Sequence, residues 1–344
     1  MRKFQRLLLF CGLLAIGTSH LACKEVDVSC SDHDALCDGL RVVLAYQSVT
    51  PIIVLGDSLG QVHVSYDGIF WRSVAVDSGN RIADITYANG FFWVVSARTA
   101  GNAAVFYSAD GLTWQSTSNG LVAPAVGLYG IAFGNGRYAA VGPGAVAYYS
   151  SDGINWSVTN DTDLALLDFA CCANQLEFRS GFFIAGDQNG GQVTYSADGI
   201  DWVIGPNSGS VPNQFSSIGA QIFWADVGNL LTIASIKLTT ATTITGLTGI
   251  RATGSNNFNF GAAVGDTGAI HTTTDGITWS GNLRPGGTVN LTTVTVQEPR
   301  LMVAAGASGG YYLSRSGGAS WEGPYTITGA GNIESSAARP GYPF

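Results

Sequence analysis

A short motif with the pattern S/T-x-D-G-x-x-W recurs along the chain, and it constrains the fold more than any other feature. Five copies keep this spacing, with key residues at Ser65, Asp67 and Trp71; Ser108, Asp110 and Trp114; Ser150, Asp152 and Trp156; Ser196, Asp198 and Trp202; and Thr273, Asp275 and Trp279. A sixth copy, with Ser314, Ser316 and Trp321, is one residue longer and has serine in place of aspartate. Such repetition is typical of proteins built from stacked structural units.

The spacing between motifs predicts the number and size of the units. The aspartate positions, with Ser316 last, are 43, 42, 46, 77 and 41 residues apart. Because 77 is close to two periods, we expect one more unit without the motif, around residues 221–246. Seven units of about 46 residues result, which is the length of a four-stranded propeller blade.

The residues within a unit also predict four short strands. In the second unit, apolar runs over residues 82–87, 91–97 and 104–108 are followed by a run that starts at Trp114, and Ala88-Asn89-Gly90 forms a tight turn after the first. The sequence therefore predicts an all-β fold: a single seven-bladed β-propeller over residues 40–330, with the motif in the third hairpin turn of each blade. Closure of the ring removes exposed sheet edges.

The N-terminus has the layout of an export signal. Residues 1–22 combine a basic start, an apolar run and small residues before Cys23. The segment Leu21-Ala22-Cys23 resembles a bacterial lipobox, which is cut before a cysteine that carries lipid chains. We therefore expect a palmitate-type anchor on Cys23, a linker over residues 23–39, a tail over residues 331–344, and an extracytoplasmic lipoprotein of the outer membrane or cell surface. Ordinary secretion with a free Cys23 is the alternative.

Four further cysteines remain after the predicted signal: Cys30, Cys37, Cys171 and Cys172. An even set in an exported protein favours disulfides. Because a bridge between adjacent cysteines is strained, pairing of the first two with the last two is favoured. A zinc site is the alternative, but the set lacks C-x2-C spacing, and we expect no metal.

Net charge excludes one class of partner. The chain carries a formal charge of -8, and its composition gives a pI near 4.8. Such a chain lacks the basic surface that nucleic-acid binding requires.

The motif resembles the Asp box of the bacterial neuraminidase repeat propellers. The phrase from Val264-Gly265-Asp266 to Trp279 is also similar to blades of photosystem II assembly-factor-like proteins. This resemblance implies a propeller, a protein partner and no cofactor. It does not imply one activity, because Asp-box propellers include sialidases, other glycosidases, sorting receptors and assembly factors.

The repeated aspartates are interpreted as structural. A short carboxylate in a hairpin turn caps backbone N–H groups, glycine supplies the positive φ, and tryptophan packs between blades. A different set, Asp57, Asp187 and Asp266, follows glycine in three predicted middle turns. These three are hypothesised to form an acidic rim at the channel mouth that binds a cation or a basic partner. The alternative is that each orders its own turn.

Catalytic patterns in the sequence are weak. Sialidase chemistry requires an arginine cluster and a tyrosine activated by glutamate, and the nearest phrase, Arg81-Ile82-Ala83-Asp84, lacks the family's proline. Asp84, Asp168 and Asp226 are the candidates for a two-carboxylate glycosidase, since they lie in or beside predicted innermost strands. An enlarged first turn over residues 174–181 contains Glu177 and Arg179. His63 and His271 are expected to be ordinary strand residues.

These features favour a non-catalytic, lipid-anchored propeller that acts as a binding or assembly scaffold for an envelope or extracellular protein. The alternative is a carbohydrate-active propeller: a glycoside hydrolase, a sialidase-like protein or a lectin-like glycan binder.

Overall fold

The computed structural model describes residues 51–121, 127–143, 146–159, 176–186, 192–207, 212–226, 229–233, 242–256, 259–296 and 301–339. All of them belong to the larger of two compact units, Tyr46–Phe344. Several predicted features lie outside the described residues: the signal peptide, the linker over residues 23–39, and Cys23, Cys30, Cys37, Cys171, Cys172, Asp168 and Asp187.

The described chain folds into antiparallel sheets of short strands. The first blade contains β1 (Ile52–Asp57), β2 (Gln61–Ser65), β3 (Arg72–Ala75) and the last strand of the chain, β27 (Ile333–Arg339). The second contains β4 (Arg81–Ala88), β5 (Phe91–Ala97), β6 (Val105–Ser108) and β7 (Gln115–Thr117). The third contains β8 (Gly130–Gly134), β9 (Arg137–Gly142), β10 (Val146–Ser150) and β11 (Ser157–Val158).

The second half of the chain continues this pattern with one exception. The fourth blade contains β12 (Leu176–Arg179), β13 (Phe182–Gly186), β14 (Gln192–Ser196) and β15 (Trp202–Asn207). The fifth, which lacks the motif, contains β16 (Pro212–Ile218), β17 (Gln221–Asp226), β18 (Asn229–Ile233) and β19 (Thr242–Ile244). A three-stranded sheet contains β20 (Ile250–Ser255), β21 (Gly261–Gly265) and β22 (Ile270–Thr273). The last blade contains β23 (Leu291–Thr295), β24 (Met302–Gly306), β25 (Gly310–Ser314) and β26 (Glu322–Thr326).

The prediction of seven four-stranded blades is therefore wrong. Within the described residues there are six four-stranded blades, and the unit that contains Thr273 and Trp279 has no fourth strand. The N–H groups of Ser280 and Leu283 still donate to the carbonyls of Thr272 and Ile270, both at 2.9 Å. In the other direction the acceptors are side chains: Ser280 Oγ accepts the N–H of Thr272 at 2.9 Å, and Asn282 Oδ1 accepts that of Ile270 at 3.2 Å. Because these two acceptors are not backbone carbonyls, the segment after the motif turn follows β22 without becoming a strand.

The local sequence explains the strands and their turns. β5, with the sequence FFWVVSA, is a nearly continuous apolar run because both faces of its sheet are buried. The turn after β4 places Asn89 and Gly90 at φ values of 51° and 83°, the left-handed pair that a tight two-residue hairpin requires. In this unit, β4, β5 and β6 agree closely with the three predicted apolar runs.

The two ends of the described chain close the ring. β1 pairs with β2 on one side and with β27 on the other, so residues of the predicted C-terminal tail form the innermost strand of the first blade. The innermost strands contact one another in the cyclic order β27, β4, β8, β12, β16, β20 and β23, and β23 contacts β27. Asn332 stabilises the closure, because its carbonyl accepts the N–H of Ser58 at 2.8 Å and its Oδ1 accepts that of Ser308 at 2.9 Å.

The core lies between neighbouring sheets. Val54 and Val62 of the first blade pack with Ile82 and Val94 of the second. Leu55, on the opposite face of the first blade, belongs to a cluster with residues of the last blade. Each sheet thus buries apolar side chains on both faces, which an isolated blade would expose to water.

Helical structure is minimal in the part of the chain that the structure describes. It consists of the short 3-10 turns Asp266–Gly268 and Ala307–Gly309. None of the helical segments among these residues has the length and apolarity needed to span a bilayer.

Candidate functional site

The motif turns join the third strand of a unit to the segment after it, and their aspartates hold the turn together. In the second blade, Ser108 Oγ donates to Asp110 Oδ1 at 2.9 Å and accepts the N–H of Gly111 at 2.8 Å. Asp110 Oδ1 also accepts the N–H groups of Leu112 and Thr113, both at 2.8 Å. The same bonds recur around Asp67, Asp152, Asp198 and Asp275. In the sixth copy, Ser316 Oγ accepts the N–H of Ser320 at 2.8 Å.

These hydrogen bonds also set the charge state of the turns. The N–H groups of Ile277 and Thr278 lower the pKa of Asp275 to about 2. At Asp110, burial acts to raise the pKa, but the hydrogen bonds from Thr113, Leu112 and Ser108 hold it below its usual value. These carboxylates are ionised, and they accept hydrogen bonds from the N–H groups of their own turn.

The motif tryptophans contact neighbouring sheets. Trp71 of the first blade lies 5.5 Å from Tyr311 of the last blade, measured between ring centroids. Trp279 lies 5.3 Å from Phe223 of the fifth blade. Trp202 is buried among residues of the third blade.

Two of the predicted rim aspartates lie within the described residues, and both have protein partners. Asp57 is fully buried, and Asp266, in the 3-10 turn after β21, forms an ion pair with Arg251. The intervening last blade separates their sheets in the ring. With Asp187 outside the described residues, the acidic rim stays a prediction.

Asp57 is the centre of a buried hydrogen-bond network. Its Oδ1 accepts the N–H groups of Leu59 and Gln61, and its Oδ2 accepts that of Gly331, all at 2.9 Å. His63 Nε2 lies 3.2 Å from the same Oδ2. Burial acts to raise the pKa of Asp57, but these hydrogen bonds hold it below its ordinary value. The carboxylate thus links the middle turn of the first blade to the segment that leads into β27.

The innermost strands carry a second charged cluster, formed by Asp84, Glu177 and Arg179 and here called the inner cluster. Asp84, on β4, is buried. Its Oδ1 accepts the N–H of Ile85 at 2.8 Å, and its Oδ2 accepts that of Ile131 on β8 at 2.9 Å. This carboxyl group therefore connects the innermost strands of the second and third blades.

Glu177 and Arg179 contribute from the fourth blade. Arg179 donates from Nη2 to Glu177 Oε2 at 2.9 Å and from Nη1 to the carbonyl of Phe178 at 3.0 Å. The expectation of an enlarged turn at these residues is wrong, because both lie in β12 and pair with β13. The alternation of polar and apolar residues from Leu176 to Arg179 was the signal for this strand.

The inner cluster holds two carboxyl groups that resist ionisation. Burial raises the pKa of Asp84 well above its ordinary value, and the negative charge of Glu177 raises it further, against the N–H groups of Ile131 and Ile85. Burial also raises the pKa of Glu177, while Arg179 acts to lower it. Among the described residues, the buried Nε of Arg179 has no hydrogen-bond partner. The cluster therefore combines two carboxyl groups of raised pKa with one guanidinium group.

The predicted glycosidase carboxyl groups are spread over the ring. Asp84 lies on the innermost strand of the second blade, and Asp226 lies at the end of the second strand of the fifth, where it pairs across the sheet with Pro212. Asp168 is outside the described residues. The structure instead places Glu177 within electrostatic range of Asp84, a neighbour that sequence reasoning assigned to a turn.

A separate pocket of about 890 Å³ lies beside the three-stranded sheet. Its lining includes Thr243 of the fifth blade and His271, Trp279 and Asn282 of the three-stranded sheet and the segment after it. The missing fourth strand leaves this region open. Within the described ranges, no group of three or more His, Cys, Asp or Glu side chains has a geometry that could hold a metal ion.

Comparisons with known proteins find likeness in structure alone. No protein-family model matches the chain, and no curated protein matches its sequence. Among solved structures, YCF48 from Cyanidioschyzon merolae is similar with a TM-score of 0.56 and 17% identity, covering 78% of this chain and 97% of that one.

Two further structures show the same architecture. YCF48 bound to D1 peptide gives a TM-score of 0.55 at 16% identity and covers 77% of this chain and 87% of that one. A streptogramin B lyase gives 0.55 at 11% identity and covers 78% and 91% of the two chains. At these identities the comparisons show that the chain has a β-propeller fold.

Proposed function

We propose that this chain is a β-propeller scaffold that binds or helps to assemble a protein partner, and that the inner cluster contributes to the contact. The observation that carries the proposal is the inner cluster itself. Burial of Asp84 costs solvation energy, and the Arg179–Glu177 pair that acts on its pKa keeps side-chain exposures of 18% and 22%. The partly exposed guanidinium group of Arg179 can donate to a carbonyl or carboxylate oxygen of a peptide segment from a partner.

The structural neighbours support a role of this kind. A propeller with the same architecture, YCF48, has been solved with a D1 peptide bound. The aspartate hydrogen bonds that close the S/T-x-D-G-x-x-W turns support the further proposal that the chain is an Asp-box propeller. Such a scaffold needs no cofactor.

The test is cross-linking in the native membrane followed by capture of the full chain and mass spectrometry, with an anchor-only chain as control. We expect one protein partner to be recovered in near-stoichiometric amount, with cross-links that map near the inner cluster. Recovery of lipid and background proteins alone would overturn the scaffold proposal.

Location is a separate part of the proposal. We place the protein outside the cytoplasm, anchored through lipid on Cys23, because the first 22 residues have the pattern of an export signal. Labelling with a palmitate analogue should be lost in Cys23→Ala. Equal labelling of the variant and the wild type would exclude this anchor.

Glycan binding is the second candidate, and the pocket beside the three-stranded sheet favours it. An aromatic ring, here Trp279, with threonine and asparagine side chains around it, suits the apolar faces and hydroxyl groups of a sugar. Calorimetric titration with oligosaccharides should then give heat that Trp279→Ala abolishes. Absence of heat with the wild-type protein would remove this candidate.

A further inference from the structure

Three side chains of the first blade form a continuous hydrogen-bonded chain. His63 Nε2 lies 3.2 Å from Asp57 Oδ2, and His63 Nδ1 lies 2.8 Å from Ser73 Oγ. Asp57 and His63 are fully buried, whereas Ser73, on the outermost strand β3, is exposed. A solvent-exposed hydroxyl is thus hydrogen-bonded to a histidine that a carboxylate orients.

The hydrogen bonds of Asp57 fix where the proton of His63 resides. Its carboxylate oxygens accept three backbone N–H groups, so this group acts as an acceptor toward His63 as well. A neutral imidazole has one N–H and one acceptor nitrogen. With the proton on Nε2, Nδ1 is the acceptor, and Ser73 Oγ–H donates to it. This arrangement is that of a nucleophile paired with a general base.

The propeller repeat does not require this chain. The position of His63, two residues before the motif serine or threonine, is occupied in other units by Phe106, Tyr148, Thr194 and Tyr312. The three-stranded sheet has the equivalent His271 and Asp266, but His271 Nδ1 lies 3.0 Å from the carbonyl of Ser280 and must donate to it. Asp266 pairs there with Arg251 instead. Among the described units, only the first brings Asp, His and Ser together.

We propose that Ser73 is a base-activated nucleophile that takes an acyl group from an ester. Ser73 Oγ forms a bond to the acyl carbon, the proton of its hydroxyl passes to His63 Nδ1, and the ester C–O bond breaks. The departing alkoxide takes that proton. Water then forms a bond to the acyl carbon as His63 Nδ1 takes its proton, the bond from that carbon to Ser73 Oγ breaks, and the proton returns to Oγ as the carboxylic acid leaves. Because β3 is the outer edge of its sheet and Ser73 is exposed, an ester can reach this hydroxyl from solvent.

A fluorophosphonate probe tests this proposal on the full chain. Its phosphorus forms a bond to an activated serine oxygen as fluoride leaves and the serine proton passes to the base. Ser116 is the matched control, since it is exposed at the equivalent place on β7 but faces Phe106 across the strand pair. Peptide mass spectrometry measures the labelling rate at each serine, and thermal unfolding checks that every variant is folded.

We expect labelling of Ser73 at a rate about 100-fold above that of Ser116, the range typical of general-base assistance. Ser73→Ala should abolish the label. His63→Phe, which introduces the residue that the second blade has at this position, should reduce the rate about 100-fold. Equal rates at Ser73 and Ser116 in the wild type would overturn the proposal, as would a folded His63→Phe protein that labels normally. If His63→Phe does not fold, the wild-type rates and the Ser73→Ala variant, which removes one exposed hydroxyl, still decide the question.

Discussion

At the residue scale, two carboxyl groups in this propeller have pKa values displaced in opposite directions. Asp84 is buried beside Glu177, and its pKa is raised. Asp110 is held by N–H donors in a turn, and its pKa is lowered. Their contributions to the free energy of unfolding must therefore depend on pH with opposite sign.

For Asp84, the folded pKa lies above the unfolded value of about 3.9. Its stabilising contribution is fully present below that unfolded value and is lost as pH rises through the folded pKa. Asp84→Leu leaves the buried N–H of Ile131 without its acceptor, so we expect a loss of about 1–3 kcal/mol at acid pH. Urea titration should show this loss to be smaller near neutral pH. A loss that grows toward neutral pH would contradict the assignment of a raised pKa.

Asp110→Ala should behave in the reverse way. The lowered folded pKa means that the stabilisation is present above the unfolded pKa of about 3.9 and disappears as pH falls through the folded pKa. We expect a loss of about 1–2 kcal/mol near neutral pH, comparable to removal of a helix cap, that shrinks in acid. The same urea titrations measure both variants, and matching pH trends for the two would refute the account.

At the scale of elements, the three-stranded sheet shows how side chains can end a repeat pattern locally. Asn282 Oδ1 accepts the N–H groups of Ile270 and Arg284, and Ser280 Oγ accepts that of Thr272. The outer edge of β22 is thereby satisfied without a fourth strand.

Asn282→Ala should expose this edge. We expect amide hydrogen exchange at Ile270 and Arg284 to become about fivefold faster, since about 1 kcal/mol of hydrogen bonding is lost. Thr272, which donates to Ser280 Oγ, is the internal control and should exchange as before. Hydrogen exchange read by NMR measures all three amides, and an unchanged rate at Ile270 would show that the Asn282 side chain does not protect it.

At the scale of the whole propeller, β27 joins the end of the described chain to its beginning. Deletion of residues 332–344 removes the innermost strand of the first blade together with Ile333, Ala337 and Ala338, all buried. We expect Tm to fall by at least about 10 °C. Deletion of residues 340–344 alone, which leaves β27 intact, is the control. Calorimetry measures both, and equal Tm values for the two truncations would contradict a structural role for β27.

Sequence patterns predicted the repeat and the all-β fold because both depend on local residues. The Asn89-Gly90 turn and the apolar run of β5 need no distant partner to be recognised. The missing fourth strand was not predictable, since Ser280 and Asn282 act by accepting hydrogen bonds from β22. The inner cluster was not predictable for a similar reason: Asp84 and Glu177 are 93 positions apart and come together only when the ring closes.

The central claim is that the inner cluster takes part in binding a protein partner. The most direct measurement is quantitative recovery of the cross-linked partner with wild-type protein, Arg179→Met and Arg315→Met. Arg315 is a matched control, because it is also paired with a glutamate, Glu322, with 3.8 Å between Nη1 and Oε2. Its side chain is 46% exposed and belongs to the last blade. We predict that Arg179→Met loses most of the partner while Arg315→Met retains it. Equal recovery with all three proteins would contradict the claim.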